Sequence, residues 1–315
     1  MDGQRDRPRR AATAVAGAPC SYGAFEVTVG IEPHVPDALQ VLEAVRAAGF
    51  TGIDLGPAGY LGDAAHLADR LRTRDLSLAG GYVALPFSEP SQLPRAMHDL
   101  DDVLDLFDAA SANHHAPFAP RPTLADAGSD LRRSSPGRSH RDRKLGLSPD
   151  GWNRLAEGVR RAVEVCRERG YEPTFHHHAG TFVEAPEEIQ TLLDRTDVGL
   201  CLDTGHMLLG GGDPVQAVRD WGARINHVHL KDARMSVIRR LIEDRAPMIE
   251  VWRRHAFSAL GQGDLDVNGV LQGLTASAYA GWLVVEQDRF PDPDGPADAA
   301  LDQERNREFL RARGI

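Results

Sequence analysis

Short apolar runs and longer amphipathic segments alternate along the chain. Apolar runs lie near residues 15–22, 51–56 (TGIDLG), 76–83 (LSLAGGYV), 123–126, 171–178 (YEPTFHHH), 198–203 (VGLCLD), 224–230 (RINHVHL) and 281–288 (GWLVVEQD). Continuous apolar runs suit strands covered on both faces, as in a parallel sheet wrapped by helices. Between them, helical spacing predicts helices near 36–48, 63–73, 92–109, 148–170, 186–195, 213 onward, 235–255 and 266–276. Several carry their own end signals: Ser148 before Pro149 reads as a cap and first-turn residue, Gly170 as a stop, and Asp213 before Pro214 as a second start. Eight such units predict an α/β fold, a single closed (β/α)8 TIM barrel over residues 15–315.

Two stretches break the rhythm. Residues 113–122 hold three prolines, so most of that segment cannot be a central strand. Residues 131–144 (LRRSSPGRSHRDRK) are polar and basic, which predicts a mobile loop near 127–147. That loop reads either as plainly solvated or as a lid carrying Arg132 or Arg133 onto an anionic substrate. The basic residues 1–14 are expected to be a disordered tail, not a signal peptide, and a short helix is expected at the C-terminus.

Composition narrows the function classes. At 315 residues the chain has the ordinary length of one such barrel. A net charge of −10 with no long basic block argues against nucleic acid as a partner. Cys20, Cys166 and Cys201 are odd in number and form no CxxC pair, which fits a reducing, cytoplasmic setting. No apolar run approaches the ~18 residues of a membrane helix, so no membrane partner is expected.

The candidate chemistry is concentrated. Six of the thirteen histidines fall between Phe175 and Asp232, in FHHHAGT (175–181), CLDTGH (201–206) and HVHLKD (227–232). In parallel barrels the reacting groups sit at the C-terminal strand ends. Metal-capable side chains fall there on four predicted strands: His176 and His178, Asp203, His227 and His229, and Glu286. Residues two apart on a strand share a face, so His177 points away from His176 and His178. Mixed imidazole and carboxylate donors suit a borderline divalent ion, Mn²⁺, Co²⁺, Fe²⁺ or Zn²⁺, rather than Ca²⁺. A lone buried histidine is more often a satisfied core residue. The placement of every cluster at the same end of a different strand argues for a site.

These motifs, with IDLGPAGYL (53–61), VEAPEEI (183–189), LGQGDLD (260–266) and GWLVVEQD, resemble the xylose isomerase-like (AP endonuclease 2-type) barrel superfamily across about residues 15–290. Within it they are most similar to the branch of dehydratases that act on inososes. By position, the resemblance implies His176, Asp203, His229 and Glu286 as metal ligands, with Mn²⁺ or Co²⁺ first among the candidate ions. Histidine at the first position, where isomerases and epimerases of the superfamily carry glutamate, implies dehydration of a cyclic keto-polyol of the 2-keto-myo-inositol type, as in myo-inositol catabolism. A metal-dependent isomerase or epimerase of a keto-sugar or inosose is the alternative. Glu286 or a nearby histidine is the candidate base, and His206, His178 and Lys231 the candidate acids. Asp54, Tyr60, Asp126 and His227 are candidate substrate contacts. The resemblance also implies a homo-oligomer. The chain departs from the dehydratase pattern at Ala179, at Gln262 and in the proline-rich segment.

Overall fold

The computed structural model describes residues 13–112, 115–292 and 295–315. Most of the expected basic tail and two residues of the proline-rich segment lie outside them.

Eight parallel strands close a barrel: β1 (Thr13–Gly17), β2 (Gly52–Asp54), β3 (Ser77–Leu85), β4 (Arg121–Asp126), β5 (Thr174–His176), β6 (Gly199–Asp203), β7 (Ile225–Leu230) and β10 (Gly281–Val285). Their order around the barrel follows the chain, and β10 closes it between β7 and β1. A separate antiparallel ribbon pairs β8 (Asp232–Ala233) with β9 (Phe257–Ser258). The apolar runs are strands because each is covered twice. A large cluster including Ile53, Leu78, Leu124, Phe175, Leu200, Val228 and Leu283 packs outward under the helices. A smaller one with Ala16, Ala79 and Trp282 fills the barrel's interior.

The predicted helices are present with their end chemistry. Ser148 accepts from Gly151 N and opens Pro149–Glu168; Asp213 accepts from Val215 N and opens Pro214–Trp221. The expected helix over 235–255 is two helices, Met235–Glu243 and Met248–Arg253, interrupted before Pro247 where Arg245 takes a positive φ of 52°. A proline ring cannot continue the first helix. The C-terminal helix is long, Gly295–Arg311, and packs on the helix Ala38–Ala48. β4 starts earlier than composition suggested and contains Pro122, paired in register with Gly81. Pro122 is the strand's second residue, where one missing donor is tolerated.

The segment 127–147 is packed, with a short helix Asp130–Arg133 and a 3-10 turn Arg143–Leu145. Arg132 is fully buried. Its guanidinium donates to both oxygens of Glu188, at 2.8 and 2.9 Å, and to Leu145 O. Glu188 also accepts from Glu184 N and Ala185 N at the start of the helix Pro186–Arg195. Arg132 therefore anchors the segment instead of reaching for a substrate, while Arg133 lines the barrel's cavity.

Candidate functional site

The C-terminal strand ends meet over one cavity of about 410 Å³. His176 is the last residue of β5 and Asp203 the last of β6. His229 stands one residue before the end of β7, and Glu286 follows β10. Register brings them level: Asp203 pairs with His229, and His229 with Val284. One ligand atom from each of the four residues lies within 4.8 Å of the others, and all four are buried. His176 Nε2 is 3.5 Å and His229 Nδ1 3.7 Å from Asp203 Oδ2, and His229 Nδ1 is 3.3 Å from Glu286 Oε2.

These residues fit a divalent cation. Neither His229 ring nitrogen has a hydrogen-bond partner among the described residues, although both are buried. Buried polar atoms in that condition are costly unless something else satisfies them. The carboxylates are ionised donors. Burial opposes the charge on Glu286, but His229 and Lys231 beside it hold its pKa well below the usual range. Asp203 is held low against the same burial cost by Lys231, His206 and His176. Asp203 is also fixed in place, since its Oδ1 accepts from His206 N, 2.8 Å, and its own N–H donates to His177 Nε2, 3.2 Å. His177 thus faces away from the cavity, as alternation along β5 requires.

A second layer stands beside the quartet. Lys231 Nζ lies 3.0 Å from Asp203 Oδ2, 2.9 Å from Glu286 Oε2 and 2.9 Å from Asp288 Oδ1. Burial disfavours its charge, yet the three carboxylates raise its pKa well above the ordinary lysine value. The stem can pass only because residue 205 is glycine; a Cβ there would stand 2.7 Å from Lys231 Cγ. His206 Nε2 is 3.3 Å from Lys231 Nζ, and its ring packs on His178 with centroids 3.8 Å apart and planes tilted by 42°. Burial, with His176 and Lys231 nearby, pushes His178 down to about 3, so the ring is neutral. His178 Nδ1 lies 2.8 Å from Ala179 O, which fixes the tautomer with the proton on Nδ1 and leaves Nε2 a lone pair.

The expected substrate contacts divide. Asp54 and Asp126 line the cavity, and burial pushes each up to about 6. Asp126 Oδ2 accepts from Gly128 N and Phe182 N. Tyr60 does not line the cavity; its hydroxyl donates to Pro36 O. His227 shares the inward face of β7 with His229 but lies deeper in the barrel, fully buried and away from the cavity. Alternation gives the face of a strand residue, not its depth. Asp288 was missed, although its spacing of two from Glu286 was a usable signal. Tyr82, whose ring packs edge-on against His176 at 5.8 Å, gave none.

Residues 42–313 match the family described as xylose isomerase-like TIM barrel. The chain belongs to that family. Its curated relatives include an inosose dehydratase of Geobacillus thermodenitrificans (strain NG80-2), 28% identical over 280 residues, covering 86% of this chain and 88% of the relative. An inosose dehydratase of Bacillus thuringiensis (strain Al Hakam) is 35% identical over 168 residues, covering 52% of this chain and 55% of the relative. Among solved structures of this xylose isomerase-like fold, the IOLI protein with a binding zinc atom superposes with a TM-score of 0.68 at 11% identity, covering 95% of this chain and 97% of that one. The probable 3-DHS dehydratase AsbF of Bacillus anthracis superposes with a TM-score of 0.67 at 13% identity, covering 95% and 98%. Among the described residues no helix is long and apolar enough to cross a membrane.

Proposed function

We propose that the protein is a divalent-metal-dependent hydro-lyase that dehydrates a cyclic keto-polyol of the inosose type. The observation that carries this reading is the buried quartet His176, Asp203, His229 and Glu286 at the strand ends. The likeness to inosose dehydratases along most of both chains supports it. A divalent ion held by the quartet supplies Lewis acidity to a substrate ketone. Mn²⁺ and Co²⁺ are the first ions to try, and Zn²⁺ and Fe²⁺ suit the same donors.

This chain's own residues supply the proton handling. His178 Nε2, with its lone pair, takes the proton from the carbon next to the ketone. Lys231, held protonated by Asp203, Glu286 and Asp288, faces the β-hydroxyl as a fixed positive donor. As the β C–O bond breaks, the departing oxygen takes a proton from the Lys231–His206 pair and leaves as water. Asp54 and Asp126 orient ring hydroxyls.

Incubating metal-loaded protein with 2-keto-myo-inositol tests the reading. The expected product is an enedione-type compound absorbing in the near ultraviolet. Recovery of keto-polyol stereoisomers carrying solvent deuterium, with no loss of water, would assign epimerisation instead.

A further inference from the structure

The cavity is chemically two-sided. Its floor holds the ionisable groups described above. Its opposite wall is mainly apolar and comes from two segments, with Glu26 as the one charged side chain between Phe25 and Val27. Phe25 and Val27 follow the 3-10 turn Pro19–Tyr22, and Met248 and Trp252 come from the helix Met248–Arg253 in the excursion between β7 and β10. Met248 and Trp252 are four residues apart and so share one face of that helix. The Phe25 and Trp252 rings pack at 4.8 Å between centroids, tilted by 53°. Phe25 and Met248 are buried, while Val27 is 45% exposed, so the wall runs from the interior to the surface. The indole N–H of Trp252 is buried and has no hydrogen-bond partner among the described residues.

A bare inosose does not match this wall. It carries an oxygen on every ring carbon. Any hydroxyl pressed on Phe25 or Met248 would give up water without a replacement partner. The cavity, at about 410 Å³, also falls within the range that holds drug-sized molecules.

We propose that the substrate is a keto-polyol ring bearing an apolar, preferably aromatic, substituent, which lies against Phe25, Met248 and Trp252 while the ketone end faces the quartet. The indole N–H of Trp252 donates to the oxygen linking ring and substituent. This rests on the dehydratase reading for the ring end only and adds no chemical step. The substituent stays on the carbon opposite the ketone, away from the bonds that break.

The test compares 2-keto-myo-inositol with its benzyl ether at the carbon opposite the ketone, by calorimetric titration of the metal-loaded protein and by turnover. The expected result is at least about tenfold tighter binding of the benzyl ether, the scale by which an apolar pocket discriminates. Trp252→Ala should close most of that gap and Trp252→Phe should keep most of it. Equal or weaker binding of the benzyl ether by the wild-type protein overturns the proposal, as does a gap that survives Trp252→Ala. If the gap appears but neither compound loses water, the dehydratase reading fails and this one stands. If both lose water with no gap, the reverse holds. If neither binds, both fail.

Discussion

The Lys231 ammonium and the Glu286 carboxylate lie 2.9 Å apart with almost no solvent around either. The same nitrogen touches Asp203 Oδ2, so one lysine neutralises two of the four candidate metal ligands. Removing one member of a buried ionic group leaves the others uncompensated, at about 3–5 kcal/mol. Lys231→Met should therefore lower the stability of metal-free protein by about that amount, and added Mn²⁺ or Co²⁺ should restore much of it by supplying the missing positive charge. Thermal unfolding with and without metal checks this; an equal loss in both states would count against a cation at the quartet.

Metal retention should separate two roles of Asp203. Asp203→Ala removes a ligand and also the acceptor for His206 N, whereas Asp203→Asn keeps an acceptor for that bond. Both should lose bound metal after dialysis against a chelator, as should His176→Ala, but only Asp203→Ala should lose a further ~1 kcal/mol from the cap. Metal analysis by plasma emission and urea unfolding give the two readouts. Full metal retention in His176→Ala would remove that residue from the ligand set.

Arg132→Ala should be among the most damaging changes outside the site. It strands Glu188, whose carboxylate is shared by the arginine and two backbone N–H groups. A cost of about 3–5 kcal/mol is expected for the broken buried pair. Arg133→Ala, from a half-exposed side chain one position on, should cost less than about 1 kcal/mol. Denaturant midpoints compare the two.

Asp126 should give a pH signature. Burial raises its folded pKa to about 6, while the unfolded group ionises near its ordinary, lower value. Between those values the folded chain holds a proton that the unfolded chain does not. Its contribution is most favourable below the unfolded pKa and falls as pH rises towards about 6. Asp126→Asn can still accept from Gly128 N and Phe182 N, and it removes the ionisation. The variant should gain up to about 2–3 kcal/mol on wild type near neutrality and almost nothing near pH 4, by the scale of about 1.4 kcal/mol per pKa unit. A pH-independent difference in unfolding midpoint would contradict this.

The strand ends were readable in the sequence because their signals are local. In FHHHAGT and HVHLKD, spacing by two states which histidines share a face, and the barrel states which end carries chemistry. Depth and distant pairing are not local. Nothing near His227 says that it lies a layer below His229. Nothing in LRRSSPGRSHRDRK says that Arg132 meets Glu188, 56 residues away, so a polar composition read as solvent exposure. Tyr60 follows a strand end as a substrate contact would, but its hydroxyl has a nearer acceptor in Pro36 O. Asp288 stands inside the apolar run 281–288, two residues from Glu286, but nothing near it states that its partner is Lys231, 57 residues away.

Asp232, the first residue of β8, accepts from Ala233 N, Gly261 N, Gly263 N and Leu265 N. One carboxylate thereby ties the start of the excursion through β8 and β9 to its finish, and at residue 263 the closure is so tight that a Cβ would come within 2.2 Å of Asp232 Oδ1. Met248 and Trp252 lie between those tied ends, in a segment that the β8–β9 pairing closes a second time. The proposed substrate wall thus stands on two supports: Met248 and Trp252 on this tied excursion, and Phe25 and Val27 on the segment after Pro19–Tyr22.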